Sequence, residues 1–149
     1  MSGRRFTLDT NILFYAIDAR AGSKHELAND LLVRLRTAQG PLALQGLAEL
    51  ANAVSRKLPS DLDRVEEFIA KFSHFFEVVP ASTEDVSTAL QAHRTHHLSF
   101  WDAMLWATVR RAGCTLLLTE DFQDGRVLEG VLFRNPFAMD SSELDELLS

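Results

Sequence analysis

Short apolar runs of β-forming residues alternate with helical patterns along the chain, and this alternation constrains the fold more than any other feature. Phe6-Thr7-Leu8 climbs to Asp9, and a helical pattern through Ile12, Leu13, Tyr15 and Ala16 starts straight after it. Ser23 and Glu26 stand at capping-box spacing before a second helix marked by Leu27, Leu31, Leu32 and Leu35, which Gly40-Pro41 ends. Pro41 to Leu44 reads as a short buried strand, followed by a helix through Leu47, Leu50, Ala51, Val54 and Leu58. Beyond Pro59, Ser60-Asp61 can cap a helix carrying Val65, Phe68, Ile69 and Phe72. Phe75 to Val79 is a β-rich run stopped by Pro80, and Ser82-Thr83-Glu84-Asp85 opens a helix bearing Val86, Ala89 and Leu90.

The next helix, from about Phe100 to Ala112, is apolar nearly all round, which places it in the core or against a partner. Gly113 stops it, Thr115 to Thr119 is the clearest buried strand, and Val131-Leu132-Phe133 is a weaker last one. Strands separated by helices imply a three-layer α/β/α sandwich with a central, mainly parallel sheet of about five strands. The 149 residues suit one domain, expected over residues 1–137. Residues 138–149 hold Asp140, Glu143, Asp145 and Glu146 beside Leu144, Leu147 and Leu148, an acidic amphipathic tail that is either a docking helix or a frayed end.

Composition narrows the function. No apolar stretch approaches the ~20 residues that span a bilayer, and Met1-Ser2-Gly3-Arg4-Arg5 runs into the first strand rather than into a signal h-region, so a cytoplasmic location without membrane contact is expected. Cys114 is the only cysteine and reads as a buried small hydrophobe. The net charge of −6 argues against a broad nucleic-acid-binding face unless the acids gather around a metal or lie in a tail.

The acids do recur at element junctions. Asp9 ends the first strand, Glu49 lies in the first turns of the helix after the second, Asp102 lies in the first turn after Ser99, and Asp121 with Asp124 follows the strongest strand. In a parallel sheet all of these can converge on one edge. Each has an ordinary structural role taken singly: Asp9 can cap a helix, Glu49 can be a solvated helix residue, and Asp102 suits the positive end of a helix dipole. Gathered together they repel, which a hard divalent cation resolves. Mg²⁺ prefers oxygen ligands, keeps several waters and takes one or two direct carboxylates. Such a centre activates water and clamps phosphoryl oxygens, the chemistry of phosphodiester hydrolysis.

Asp9-Thr10-Asn11-Ile12-Leu13, the Glu49 helix in Gln45-Gly46-Leu47-Ala48-Glu49-Leu50, Ser99-Phe100-Trp101-Asp102-Ala103, and Leu118-Thr119-Glu120-Asp121-Phe122-Gln123-Asp124-Gly125 resemble, in order, the four acidic motifs of PIN-domain ribonucleases. The resemblance runs roughly from Arg5 to Phe137, and the length is similar to that of the VapC toxins of bacterial toxin–antitoxin pairs. It implies a PIN-like fold and a Mg²⁺- or Mn²⁺-dependent endoribonuclease, commonly a homodimer, silenced by a small antitoxin whose tail occupies the acidic pocket. By the same resemblance Asp9, Glu49, Asp102 and Asp121 are the catalytic acids, with Asp9, Asp102 and Asp121 on the metal. Glu120 and Asp124 compete with Asp121 for the fourth place, and Thr10, Asn11, Thr119 and Asp124 are supporting groups. Products with a 5′-phosphate and a 3′-hydroxyl are implied.

Other features carry less. His93, His96 and His97 stand at helical spacing without a cysteine or acid at matching intervals, and read as a helix end favoured by its dipole rather than a zinc site. Arg4-Arg5, Arg56-Lys57 and Arg110-Arg111 can reach phosphates but stand where paired basic residues are ordinarily solvated. Trp101 and Trp106 can stack on bases, although an apolar helix favours core or dimer packing. No Gly-rich phosphate loop is present, and a dehalogenase-like phosphatase needs a second Asp where Asn11 stands. The remaining alternatives are a PIN-domain RNA-processing nuclease without an antitoxin and an inactive PIN module that only binds protein.

Overall fold

A computed structural model describes residues 4–149, so the expectation for Met1-Ser2-Gly3 lies outside it. The central sheet has four strands in the order β1 (Phe6–Leu8), β4 (Leu116–Leu118), β6 (Val131–Arg134) and β5 (Val127–Leu128). β1 pairs with β4, and β4 with β6, in parallel, whereas the short β5 returns antiparallel to β6. β2 (Pro41–Ala43) and β3 (Glu77–Val79) form a separate parallel pair. It lies against the free edge of β1, where the Thr7 hydroxyl donates to the Pro41 carbonyl at 2.6 Å. The expected single sheet is thus divided. Pro41 has no N–H to offer a ladder, and a Cβ on Gly40 would stand 2.7 Å from the Phe6 carbonyl oxygen, so the two backbones meet there at close quarters.

Alternation along the strands sorts the core into two layers. Phe6, Leu8, Leu116 and Leu118 pack on one face with α1 (Thr10–Ile17), α2 (Ser23–Thr37), α3 (Leu44–Lys57), α4 (Leu62–Phe75) and α7 (Ser141–Leu148). Leu117, Val131 and Phe133 point to the other face, against α5 (Thr83–His96) and α6 (Phe100–Arg111). This is a three-layer α/β/α sandwich. One step of register in β4 would exchange the two leucine sets between layers, which is why so short a strand is specified so firmly.

The helix starts show where local signals hold. Ser82 accepts from the Asp85 N–H at 3.2 Å while Asp85 accepts from the Ser82 N–H at 3.0 Å, a complete capping box. Ser23 is instead the first residue of α2, because the chain enters from Gly22 at φ 63°, and that cap has no side-chain hydrogen bond. Pro59–Asp61 forms a 3-10 turn before α4, and Asp61 precedes the helix without capping it through its side chain. The acidic tail docks: Leu144 is buried and Asp145 pairs with Arg34 at 2.6 Å. Cys114 is buried in the α6 layer, and burial pushes its thiol up to about 11. Among the described residues, no helix is long and apolar enough to cross a membrane.

Candidate active site

The carboxyl ends of β1 and β4 bring two distant segments side by side. The Asp9 N–H extends the ladder to the Leu118 carbonyl at 3.0 Å, so Asp9 and Thr119 emerge together at the sheet edge. Thr119 donates its hydroxyl to Asp9 Oδ2 at 2.7 Å, and itself accepts from the Asp121 N–H at 3.1 Å. Asp9 also caps α1, its Oδ1 accepting from the Thr10 N–H at 2.7 Å. Asn11, one residue further along the helix, spans the gap between acids. Its amide donates to Asp121 Oδ2 at 2.9 Å and, at 3.3 Å, to Asp9 Oδ2.

Asp102 enters from the opposite layer, in the first turn of α6, where Ser99 caps the helix by accepting the Asp102 N–H at 3.2 Å. Burial pushes the Asp9 carboxyl up to about 6 against the Thr119 and Thr10 hydrogen bonds, and the charges of Asp121 and Asp102 add to the rise. Burial likewise raises Asp102, with Asp121 contributing. The three aspartates therefore share one electrostatic neighbourhood.

Glu49 stands apart from that trio on an exposed face of α3, along a cleft of about 430 Å³ that Thr10, Asn11, Glu120 and Asp121 also line. Gln45 positions it. The Gln45 amide donates to Glu49 Oε1 at 2.7 Å and to the Trp101 carbonyl at 2.9 Å, tying α3 to the start of α6. Sequence reasoning passed over Gln45, although its place four residues before Glu49, one helical turn away, was a usable signal.

The competition for the fourth acid resolves geometrically. Glu120 is occupied by Lys24 at 2.9 Å and by the Tyr15 hydroxyl. Asp124 accepts from Arg134 Nε at 3.0 Å and the Asn135 N–H at 2.8 Å, closing the turn before β6 instead of lining the cleft. Asp121 alone of the three bonds Asn11 beside Asp9. Lys24 and Tyr15 carried no sequence signal, since Lys24 and Glu120 lie 96 positions apart.

A preformed cage is not what the acids make. Among the described residues no three His, Cys, Asp or Glu side chains are close enough to hold one ion between them. This also removes the His93, His96 and His97 grouping, in which His93 Nδ1 lies 2.6 Å from the Leu98 carbonyl and His97 ends α5 at φ 60°. Trp106 is buried with its indole N–H on the Leu128 carbonyl, and Trp101 is 64% exposed.

The PIN domain family model matches residues 6–126. The chain belongs to the PIN domain family. Solved structures of similar fold include the VapC20 toxin of Mycobacterium tuberculosis, described as cleaving the sarcin–ricin loop, at 20% identity and TM-score 0.59, over 78% of this chain and 89% of that one. VapBC2 of Rickettsia felis bound to promoter DNA is similar at 18% identity and TM-score 0.64, over 87% and 97%. A toxin–antitoxin complex of Klebsiella pneumoniae is similar at 21% identity and TM-score 0.61, over 84% and 93%. No curated protein sequence matches the chain. The resemblance in the four acidic motifs and the matched PIN domain span the same segments, from Asp9 to Asp124.

Proposed function

We propose that this PIN-domain protein is a divalent-cation-dependent endoribonuclease, the toxin of a cytoplasmic toxin–antitoxin pair, acting as a homodimer restrained by a small antitoxin. The observation that carries the reading is the meeting of Asp9, Asp102 and Asp121 from two layers of the sandwich without a basic side chain bonded to any of them among the described residues. The match to toxin structures supports the biological setting.

The donor set suits Mg²⁺ or Mn²⁺. It offers only oxygen and amide groups, and a magnesium ion needs no more than one or two direct carboxylates because it retains water. Asn11 Oδ1 and Gln45 Oε1 are buried without hydrogen-bond partners among the described residues, so acceptor capacity remains at the edge of the acids. Asp9, Asp102 and Asp121 would hold the cation. A divalent cation there supplies charge neutralisation for a phosphodiester and lowers the pKa of attacking water.

The chain's own groups supply orientation. Thr119 and the Thr10 N–H fix the Asp9 carboxylate from two sides, and Asn11 sets the spacing from Asp9 to Asp121. Gln45 aims Glu49 by one oxygen, leaving Oε2 to orient water or accept its proton. Neither a histidine nor the ribose 2′-hydroxyl has a role in this scheme, which accords with products bearing 5′-phosphate and 3′-hydroxyl ends.

Purified protein incubated with RNA and Mn²⁺ should cut internally and stop on chelation, and Asp9→Asn should fold yet neither cut nor arrest growth. A folded Asp9→Asn protein that remains equally toxic would sink the reading. Co-expression with the product of any small adjacent reading frame, followed by sizing of the complex, tests the antitoxin and the dimer. Absence of Mn²⁺ affinity at millimolar levels would favour the inactive protein-binding module instead.

A further inference from the structure

The fold separates the three pairs of adjacent basic residues. Arg5 donates to the carbonyls of Ala112 and Gln39 and pairs with Glu77, and Arg4 lies beside Glu143 and Glu146. Arg111 is bound to Asp85 and the Pro80 carbonyl, while Arg110 donates to the Glu129 carbonyl. Arg56 and Lys57 are exposed, and among the described residues neither makes an ion pair or a side-chain hydrogen bond. Both line the acidic cleft.

Their place along α3 gives the cleft a direction. Glu49, Asn52, Ala53 and Arg56 follow the three-, four- and seven-residue spacing of one helix face, and all four line the cleft. At 1.5 Å per residue, Arg56 stands about 10 Å along the helix axis from Glu49. Carboxylates occupy one end of the cleft and two cations the other, in a chain of net charge −6. A polyanion repelled by the acids must be held beyond them, and this is the cationic wall within the same cleft.

We infer that Arg56 and Lys57 form a phosphate subsite that holds the backbone of a single-stranded RNA flank a few nucleotides from the scissile bond. The inference rests on the ribonuclease reading of the same cleft. An RNA strand fits better than an acidic peptide because a phosphate recurs at every nucleotide, so one ligand presents an anion to both ends of the cleft. Contacts of this type set affinity and register without reading base identity.

Fluorescence anisotropy with a labelled single-stranded RNA of mixed sequence tests this, in an Asp9→Asn background so that the strand is not cut. Arg56→Gln with Lys57→Gln should weaken binding about tenfold at low salt and flatten the slope of log affinity against log salt by about 1.4, near 0.7 for each phosphate released. Arg56→Lys with Lys57→Arg should restore both. In the otherwise unaltered protein the glutamine pair should raise KM while kcat holds. Unchanged affinity and slope in a protein that still cleaves RNA overturns the subsite alone. Wild-type protein that neither binds nor cleaves RNA overturns the ribonuclease reading and the subsite with it. A polyglutamate peptide bound as tightly as RNA, and lost in the same variant, assigns the pair to an acidic protein partner and overturns the inference.

Discussion

Two buried aspartates, Asp9 and Asp85, occupy opposite layers of the sandwich and have opposite electrostatics. They are 6% and 2% exposed, and both sit at the start of a helix. Burial alone would raise each of them. At Asp85 that effect is outweighed by Arg111, which donates from Nε to Oδ1 and from Nη2 to Oδ2, both at 2.9 Å, with Ser82 N–H and the Thr108 hydroxyl completing the shell. Its carboxyl is held below the usual range. Asp9 has only neutral donors and two like-charged neighbours, and its carboxyl is pushed up to about 6. The lesson is that a satisfied acid fastens helices together, here α5 to α6, whereas an acid left without a cation marks where a ligand must supply one.

Activity should break the symmetry most. Removing the Asp9 charge should reduce RNA cleavage by at least about 10³-fold, equivalent to roughly 4 kcal/mol of lost charge stabilisation. Asp85→Asn should leave the rate per folded molecule within a few-fold, as gel-based cleavage of a common RNA would show. Equal losses in both variants would dissolve the distinction.

Stability should move in the opposite sense. Asp85→Asn should destabilise the protein by about 2–3 kcal/mol, below the usual penalty for breaking a buried pair because Arg111 can reach water. In chelator, Asp9→Asn should stabilise it by about 1–3 kcal/mol, and the gain should shrink as Mn²⁺ is added, since the cation binds only the folded wild-type site. Urea titrations of the three proteins measure both.

The pH dependence sharpens the contrast further. Asp9 has a folded value above its unfolded 3.8, so the folded state holds the extra proton between 3.8 and about 6. Its contribution therefore makes metal-free protein lose stability as pH rises through that window. Asp85 has a folded value below 3.8, so its contribution is present above 3.8 and disappears as pH falls through the lowered folded value. Subtracting variant from wild-type stability across pH should give slopes of opposite sign.

The smallest expected effect separates the neighbouring acids. Asp124→Asn should change cleavage by less than about twofold, because Asp124 closes a turn with Arg134 and Asn135, while Asp121→Asn should cost about tenfold or more. Parallel cleavage assays decide the assignment; the reverse ranking would move the fourth acid to Asp124.

Where a signal was local, it could be read from the chain. The run into Asp9, the Ser82–Asp85 box and the Ser99 cap before Asp102 each depend on neighbours a few residues away, and the structure contains them. Ser23 and Ser60 failed as caps because Gly22 and Pro59 set the entry of the backbone ahead of them, and backbone dihedrals take precedence over an available hydroxyl. The β5 return and the division of the sheet at Pro41 also went unread, since both depend on which strands meet rather than on the pattern within either.

The amino-acid sequence alone determined the order of elements, the two-faced strands and the junctions at which carboxylates stand, because hydrophobic periodicity and capping act over a single turn or pleat. Tertiary structure alone decided which carboxylate received a cation: Arg111 reaches Asp85 across 26 positions, Lys24 reaches Glu120 across 96, and Asp9 meets Asp121 rather than any basic group. Charge is compensated through space, so the partner that makes one buried acid structural and leaves another open for chemistry is set by the packing of helices on the sheet.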